Sequence, residues 1–142
     1  TIFAYFTFFG RSGVLVKHVH EDDVQGDVFT GEYARTIKHL TSKLGAKNLW
    51  LGIIEYQPHC SSNMHSHEEQ EEVFYCIQGT GEICVDGETV PIKPGSCVYV
   101  APKQLHQVIN NTDQILKVLS AVSPPFEYEQ YAKEHLLTKE IT

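Results

Sequence analysis

Two histidines one residue apart, His65 and His67, are the side chains best suited to metal chemistry. They lie in the stretch NMHSHEEQEEVFYCIQG at residues 63–79, and four carboxylates follow them: Glu68, Glu69, Glu71 and Glu72. We expect both histidines to lie on a strand, where residues i and i+2 share a face, so both imidazoles point toward one spot. Imidazole nitrogens and a carboxylate oxygen form a common ligand set for Zn, Fe, Mn and Ni. The spacing therefore indicates a metal site, although surface or structural histidines also produce so short a motif.

A third imidazole follows about forty residues downstream. His106 lies in PGSCVYVAPKQLHQVIN at residues 94–110, after a β-type run and a proline-containing turn, where a new strand opens. A second pair, His18 and His20 in KHVHEDD, has neither a strand carboxylate after it nor a returning histidine. We expect that pair to lie in a polar strand or loop, and we expect His39 and His135 to be structural.

The two longer stretches resemble the two motifs of the cupin superfamily. The first motif, G-x5-H-x-H-x(3,4)-E-x6-G, matches at His65, His67, Glu72 and Gly79. The second motif, G-x5-P-x-G-x2-H-x3-N, matches at Gly95, His106 and Asn110. The resemblance covers residues 48–122 and contains all four ligand positions at the family spacing.

Three turn positions depart from the family pattern. His59 and Lys103 stand where the motifs have glycine, and Ala101 stands where the second motif has proline. Lys103 predicts a turn that either avoids positive φ or carries some strain. These changes remove no ligand and bear only on the shape of the pocket mouth.

The resemblance implies one divalent metal ion per chain (Fe, Mn, Ni or Zn), held by His65, His67, Glu72 and His106. It selects Glu72 among the four carboxylates and allows it a second role as a catalytic base. Glu71 would then face solvent, and Glu68 and Glu69 would be turn residues. Five residues flank the ligands in sequence and are candidates for the pocket: His59, Met64, Cys76, Tyr99 and Gln104. For Cys76, which shares the face of Glu72, a packed core thiol is the favoured interpretation.

Short β-type runs separated by turn signals make up the rest of the chain. The predicted runs are 33–40, 48–58, 71–77, 82–85, 88–92, 96–101, 106–110 and 114–122. Asp86-Gly87 predicts a type I′ hairpin turn. Lys117 should point outward, which sends Leu116, Val118 and Ser120 inward. After Pro124-Pro125, the stretch 126–139 reads as a helix.

This pattern predicts an all-β antiparallel sandwich or jelly roll with a short C-terminal helix. The resemblance implies that it is the double-stranded β-helix, or jelly-roll barrel, of the cupins. We expect one cupin domain over 1–142. Residues 1–47 would supply N-terminal strands and a possible dimer arm, 48–122 the barrel with the metal site, and 123–142 the helix.

Composition restricts the partners. The chain has 142 residues, 11 basic and 18 acidic, with a formal charge of −7 and no basic stripe. That balance argues against nucleic acid and against an anionic membrane surface. Four cysteines without a C-x-x-C pair favour reduced thiols and a cytoplasmic location. The opening TIFAYFTFF is too short to span a bilayer. It reads as a strand that packs on a sheet or on a partner subunit, or as vector-derived sequence.

From the resemblance we expect a metal-dependent enzyme for a small oxygenated or aromatic metabolite, with dioxygenase-type oxidoreductase chemistry first. Redox-neutral catalysis by an isomerase, cyclase, decarboxylase or lyase is the alternative, and a non-catalytic small-molecule or sugar binder is a third. Fold alone does not decide among them. The apolar N-terminus and strands that are apolar on both faces predict a homodimer.

Overall fold

The computed structural model describes residues 16–127 and Tyr131. The apolar stretch TIFAYFTFF and most of the helix predicted at 126–139 therefore lie outside the described residues. The backbone N–H of Tyr131 donates to the carbonyl of Glu127 at 3.0 Å, the i to i−4 spacing of an α-helix. Within the described part of the chain, no helix has the length and apolar character needed to cross a bilayer.

Nine strands within the described residues form two antiparallel sheets. The strands are β1 (Asp27–Phe29), β2 (Arg35–His39), β3 (Trp50–Tyr56), β4 (Glu71–Gln78), β5 (Gly81–Val85), β6 (Glu88–Ile92), β7 (Cys97–Val100), β8 (His106–Ile109) and β9 (Leu116–Ser123). The larger sheet has the order β1-β2-β3-β9-β4-β7, and the smaller has the order β6-β5-β8. Short turns of 3-10 helix lie at Glu21–Asp23 and Gly31–Tyr33, and α1 spans Thr41–Leu44.

The inner faces of the two sheets share one core. Ile54, Phe74 and Val118 of the larger sheet pack in the same cluster as Ile83 and Val108 of the smaller sheet. Full burial of such a side chain stabilises the fold by about 1.5–3 kcal/mol. The architecture is the predicted all-β jelly roll, with two sheets that do not close into a continuous ladder among the described residues.

Each predicted β run contains an observed strand, and the inward residues of β9 are the predicted ones. Leu116, Val118 and Ser120 are buried, and Lys117 lies on the outer face. Two local elements were not predicted: the three-residue strand β1, and α1, where a loop was expected.

Backbone conformation explains several turn residues. Asp86 and Gly87 have φ of 48° and 83°, which confirms the type I′ turn. His59 and Lys103, the two replacements for family glycines, have φ of 57° and 69°. The turns have thus kept the left-handed backbone, and the non-glycine residues carry its strain.

An N-terminal segment crosses the outer face of the larger sheet. Val24 is buried there, and Lys117 Nζ lies 2.6 Å from a carboxylate oxygen of Glu21. Lys38 Nζ donates to the carbonyl of Glu21 at 3.1 Å. These contacts join a segment before β1 to the middle of the sheet.

Candidate metal centre

Four side chains from three different segments converge at one end of the barrel. Glu72 lies on β4 of the larger sheet, and His106 opens β8 of the smaller sheet. His65 and His67 lie in the irregular segment between β3 and β4, so the expectation that both lie on a strand is wrong. His65 is nevertheless extended, because its backbone exchanges two hydrogen bonds with His106, at 3.1 and 2.8 Å. That bridge brings the first motif beside the second.

The potential ligand atoms of His65, His67, Glu72 and His106 all lie within 4.8 Å of one another. His67 Nε2 is 3.0 Å from Glu72 Oε2, and His106 Nε2 is 3.3 Å from the same oxygen. The sequence-predicted ligand set is therefore assembled in space.

Backbone carbonyls orient two of the imidazoles. His65 Nδ1 donates to the carbonyl of Asn63 at 2.8 Å, and His106 Nδ1 donates to the carbonyl of Gln104 at 2.9 Å. A carbonyl can only accept, so each Nδ1 carries the proton and each Nε2 keeps its lone pair. This is the tautomer that a metal-binding imidazole requires.

Ser120 fixes the carboxylate. Its hydroxyl donates to Glu72 Oε1 at 2.7 Å from the neighbouring strand β9. One carboxylate oxygen is thereby engaged, and the other is directed at the histidines. Sequence reasoning placed Ser120 inward but gave it no role; a polar residue at an inward strand position was the available signal.

Burial and the contacts among the four side chains together set the protonation state of the cluster. Burial alone would raise the pKa of Glu72, but the adjacent imidazoles of His106 and His67 outweigh it and hold that pKa well below its usual range. Burial, aided by the neighbouring His106, lowers the pKa of His65 to about 4. At neutral pH the carboxylate is ionised and His65 is neutral, which are the forms that bind metal.

The donor set fits a divalent transition metal. His106 Nε2 is buried and makes no hydrogen bond with any described residue, although it faces the Glu72 carboxylate. Three imidazoles and one carboxylate suit Zn, Fe, Mn and Ni. The cluster can thus hold one metal ion, whose identity the donor set does not select.

The five pocket candidates are distributed differently from the sequence expectation. His59 is exposed beside Asp113, with Nε2 and the carboxylate oxygen 2.6 Å apart, near the far end of β8 from His106. Tyr99 faces outward on β7, and its hydroxyl donates to Glu71 at 2.8 Å. Cys76 is a packed core thiol near the carbonyls of Gln78 and Gly79. These three do not line the cluster.

Met64 and Gln104 do border the cluster in the chain, but neither side chain enters it. Met64 is exposed next to His65. The side chain of Gln104 bonds Ala101 and Asp86, and only its backbone carbonyl reaches His106. Gln104 therefore braces the loop that carries a ligand.

The other histidines lie outside the cluster. His20 caps the first 3-10 turn by accepting from the backbone N–H of Asp22, and His18 is exposed. His39 lies in a network that the sequence did not reveal. It accepts from the indole N–H of Trp50 at 3.0 Å and donates to Asp27 at 2.9 Å. His135 lies outside the described residues.

A two-sheet jelly roll with three histidines and one glutamate at its end defines the class of metal-site cupins. The family model described as "Cupin domain" matches residues 52–122, half of the chain. The chain therefore belongs to the cupin family.

Two curated relatives illustrate the range of proteins that this chain resembles. The tetracenomycin polyketide synthase protein TcmJ of Streptomyces glaucescens is 30% identical over 83 residues, 58% of this chain and 56% of that protein. An oxalate-binding protein of Thermotoga maritima is 28% identical over 86 residues, 59% of this chain and 71% of that protein. The chain spans about half the length of the first curated relatives that it matches, with shares of 53% and 56%.

Solved structures agree on the fold. A predicted oxalate decarboxylase from Thermotoga maritima has a TM-score of 0.69 at 20% identity and covers 77% of this chain and all of its own. A cupin sugar phosphate isomerase from Silicibacter pomeroyi has a TM-score of 0.65 at 20% identity, covering 77% of this chain and 76% of its own. At such identities the likeness concerns the fold alone.

Proposed function

We propose that this protein is a metal-dependent enzyme that acts on a small oxygenated or aromatic metabolite. The carrying observation is the convergence of His65, His67, Glu72 and His106, whose ligand atoms lie within 4.8 Å of one another. These four residues would hold one divalent ion of Fe, Mn, Ni or Zn. Such an ion would supply Lewis-acid polarisation of a bound oxygen donor and, as iron, manganese or nickel, would also supply the chemistry of oxygenation.

Oxygenation of the dioxygenase type is the first candidate chemistry. Its support is the apolar character of the side chains around Glu72. Val100 and Val122 are the register partners of Glu72 on both neighbouring strands, and Phe74 lies 6.1 Å from the His106 ring. An apolar enclosure excludes water and protects reactive species during oxygen chemistry.

Redox-neutral catalysis is the second candidate, and the names of the similar proteins favour it. A sugar phosphate isomerase and a predicted oxalate decarboxylase share the fold, and an oxalate-binding protein shares sequence. The last name also supports the third possibility, a binder without turnover.

A base role for Glu72 is part of the proposal but is subordinate to its role as a ligand. The low pKa of its carboxyl makes it a weak base. Proton abstraction would require Glu72 to loosen from the metal, while Ser120 continues to hold its other oxygen, Oε1.

The deciding experiment starts with metal analysis of protein purified without added metal. Turnover of candidate metabolites is then compared in air and under anaerobic conditions with the same metal loading. Loss of turnover without oxygen supports oxygenation, and equal turnover supports redox-neutral catalysis. Failure to bind any of the four metals would refute the proposal.

We also propose that residues 1–142 form one cupin domain, and that the protein is a homodimer located in the cytoplasm. All four cysteines are free thiols, as expected for a reducing compartment. Support for the dimer comes from exposed aromatic side chains on the outer face of the larger sheet, Tyr75 and Tyr99.

A further inference from the structure

Phe126 forms an aromatic wall against the candidate metal centre. Its ring centroid lies 4.9 Å from that of His67 and 6.0 Å from that of Trp50, with both pairs of rings steeply inclined. The residue follows Pro124 and Pro125, which end β9 and redirect the chain. The sequence placed Phe126 only at the start of a helix.

The strand register places the Phe126 ring beside the row of inward residues that contains Glu72. Trp50 pairs with Val122, and Val122 pairs with Glu72, so the three residues form one row across the inner face of the sheet. This row is the last inward row at its end of the sheet. A ring that contacts both Trp50 and His67 therefore extends across the row that holds Glu72. His67 and Glu72 are only 2% and 5% exposed, although they lie at the barrel end.

A hydrogen-bonded network holds in place the Trp50 ring that Phe126 contacts. Tyr131 donates to Asp27 Oδ2 at 2.6 Å, and His39 donates to the same oxygen at 2.9 Å. The indole of Trp50, on which Phe126 rests, donates to His39 at 3.0 Å. The His39 and Tyr131 rings also contact each other, with centroids 4.9 Å apart. The position of Phe126 is thus fixed from β1, β2 and β3 together.

We propose that Phe126 determines specificity by limiting the ligand of the metal centre to small oxygen-donor anions and excluding ring-bearing ones. This rests on the proposed metal-dependent function and narrows its ligand class from oxygenated or aromatic metabolites to small oxygen donors without a ring. A divalent ion with one carboxylate and three neutral imidazoles carries a net positive charge, which favours an anionic ligand. The phenyl ring of Phe126 lies 4.9 Å from the His67 ring, so a ring-bearing ligand that approached the metal from this side would meet it.

The test uses two carboxylates with the same donor group and different bulk, acetate and benzoate. Cobalt(II) is loaded into the full chain, and each anion is titrated while the visible absorption bands of the metal are recorded. We expect wild type to bind acetate and to reject benzoate. Phe126→Ala should gain at least about tenfold in benzoate affinity with little change for acetate, since pocket sterics discriminate on this scale. Tyr131→Phe, which removes the hydroxyl bond to Asp27, should give an intermediate gain.

Two further variants keep the result interpretable. Phe126→Leu retains an apolar contact if the alanine variant folds poorly, and it should gain benzoate affinity to a smaller extent. Tyr75→Ala removes an aromatic ring from the outer face of β4 and should leave both affinities at wild-type values. Equal benzoate affinity in wild type and both Phe126 variants overturns the specificity role alone. A wild type that holds no cobalt overturns the metal centre, and the specificity role fails with it.

Discussion

At the scale of single residues, the candidate centre depends on main-chain carbonyls as much as on its side chains. The carbonyls of Asn63 and Gln104 fix the tautomers of His65 and His106, and Ser120 fixes the carboxylate of Glu72. The geometry is therefore set before any metal arrives, which lowers the cost of binding one.

Replacement of His65, His67 or His106 by alanine should reduce metal content sharply, because each change removes one of four ligands. Metal analysis of the purified variants measures the effect. His18→Ala and His20→Ala are matched controls, since both residues are exposed at the N-terminal side. Metal loss in the His18 variant with full retention in the His106 variant would show that the site is assigned to the wrong histidines.

Substitution of Glu71 and substitution of Glu72 should have different effects, because the two side chains lie on opposite faces of β4. Glu72 is 5% exposed, and Glu71 is exposed and accepts a hydrogen bond from the Tyr99 hydroxyl. Glu72→Gln should weaken metal binding or change activity, measured by competition with a chelator. Glu71→Gln should change the free energy of unfolding by no more than about 0.5 kcal/mol and leave metal affinity intact. Equal effects of the two substitutions would contradict the strand register.

Replacement of Lys103 by glycine should stabilise the folded protein. Its φ of 69° is costly for a residue with a Cβ, so Lys103→Gly should raise the free energy of unfolding by about 1 kcal/mol. Urea denaturation measures the change. Lys93→Gly is the control, since Lys93 is exposed and has no positive φ, and it should be neutral or destabilising. Destabilisation by Lys103→Gly would mean that the lysine side chain makes a contribution larger than the strain.

At the scale of elements, the alternation of inward and outward side chains along a strand was the feature best predicted from the sequence. Leu116, Val118 and Ser120 could be assigned inward because Lys117 fixed the parity of β9. The same alternation in β7 places Tyr99 on the outer face, away from the cluster, although it is close to the second motif in sequence. Contacts between distant segments had no local signal, as with Phe126 on Trp50 and His67. The three residues of β1 were too few for a periodic pattern.

The contact between Glu21 and Lys117 should stabilise attachment of the N-terminal segment to β9 in a pH-dependent way. The hydrogen bond with Glu21 raises the pKa of Lys117, against a smaller opposing effect of burial. A base whose pKa is higher in the folded state contributes stability below its unfolded pKa and loses it as pH rises through the folded pKa. A double-mutant cycle with Glu21→Gln and Lys117→Met should give a coupling of about 0.5–1 kcal/mol at pH 7 that declines above the folded pKa.

Urea unfolding of the four proteins at neutral and alkaline pH provides the measurement. A parallel cycle that pairs Lys117→Met with Glu88→Gln, an exposed change in the other sheet, should show no coupling at either pH. Coupling that persists unchanged at high pH would exclude the ion pair as its source.

At the scale of the whole molecule, the outer face of the larger sheet suggests an assembly. Tyr75 and Tyr99 are 45% and 54% exposed on neighbouring strands, and β7 is an edge strand of that sheet. Exposed apolar surface and an unpaired edge both favour association. A two-fold dimer in which residues 1–12 pack on the partner is the predicted arrangement.

Sedimentation velocity on the full chain and on a version lacking residues 1–12 should give a dimer and a monomer, respectively. Tyr75→Ser in the full chain should weaken the dimer if the exposed face takes part. A full chain that sediments as a monomer at micromolar concentration rejects the assembly. A dimer that survives the deletion retains the assembly but removes the N-terminal residues from its cause.

The division of the ligands between the two sheets has a thermodynamic consequence. Glu72 belongs to one sheet and His106 to the other, so the four ligand atoms come together only when the sheets have docked. An unfolded chain offers no comparable site, and a bound ion would act as a cross-link between the sheets. Folding and metal binding are then one linked equilibrium, in which metal at a hundred times its dissociation constant adds about 2.7 kcal/mol to the free energy of unfolding. The metal supply of its surroundings would thus govern the fraction of this protein that is folded as well as its activity.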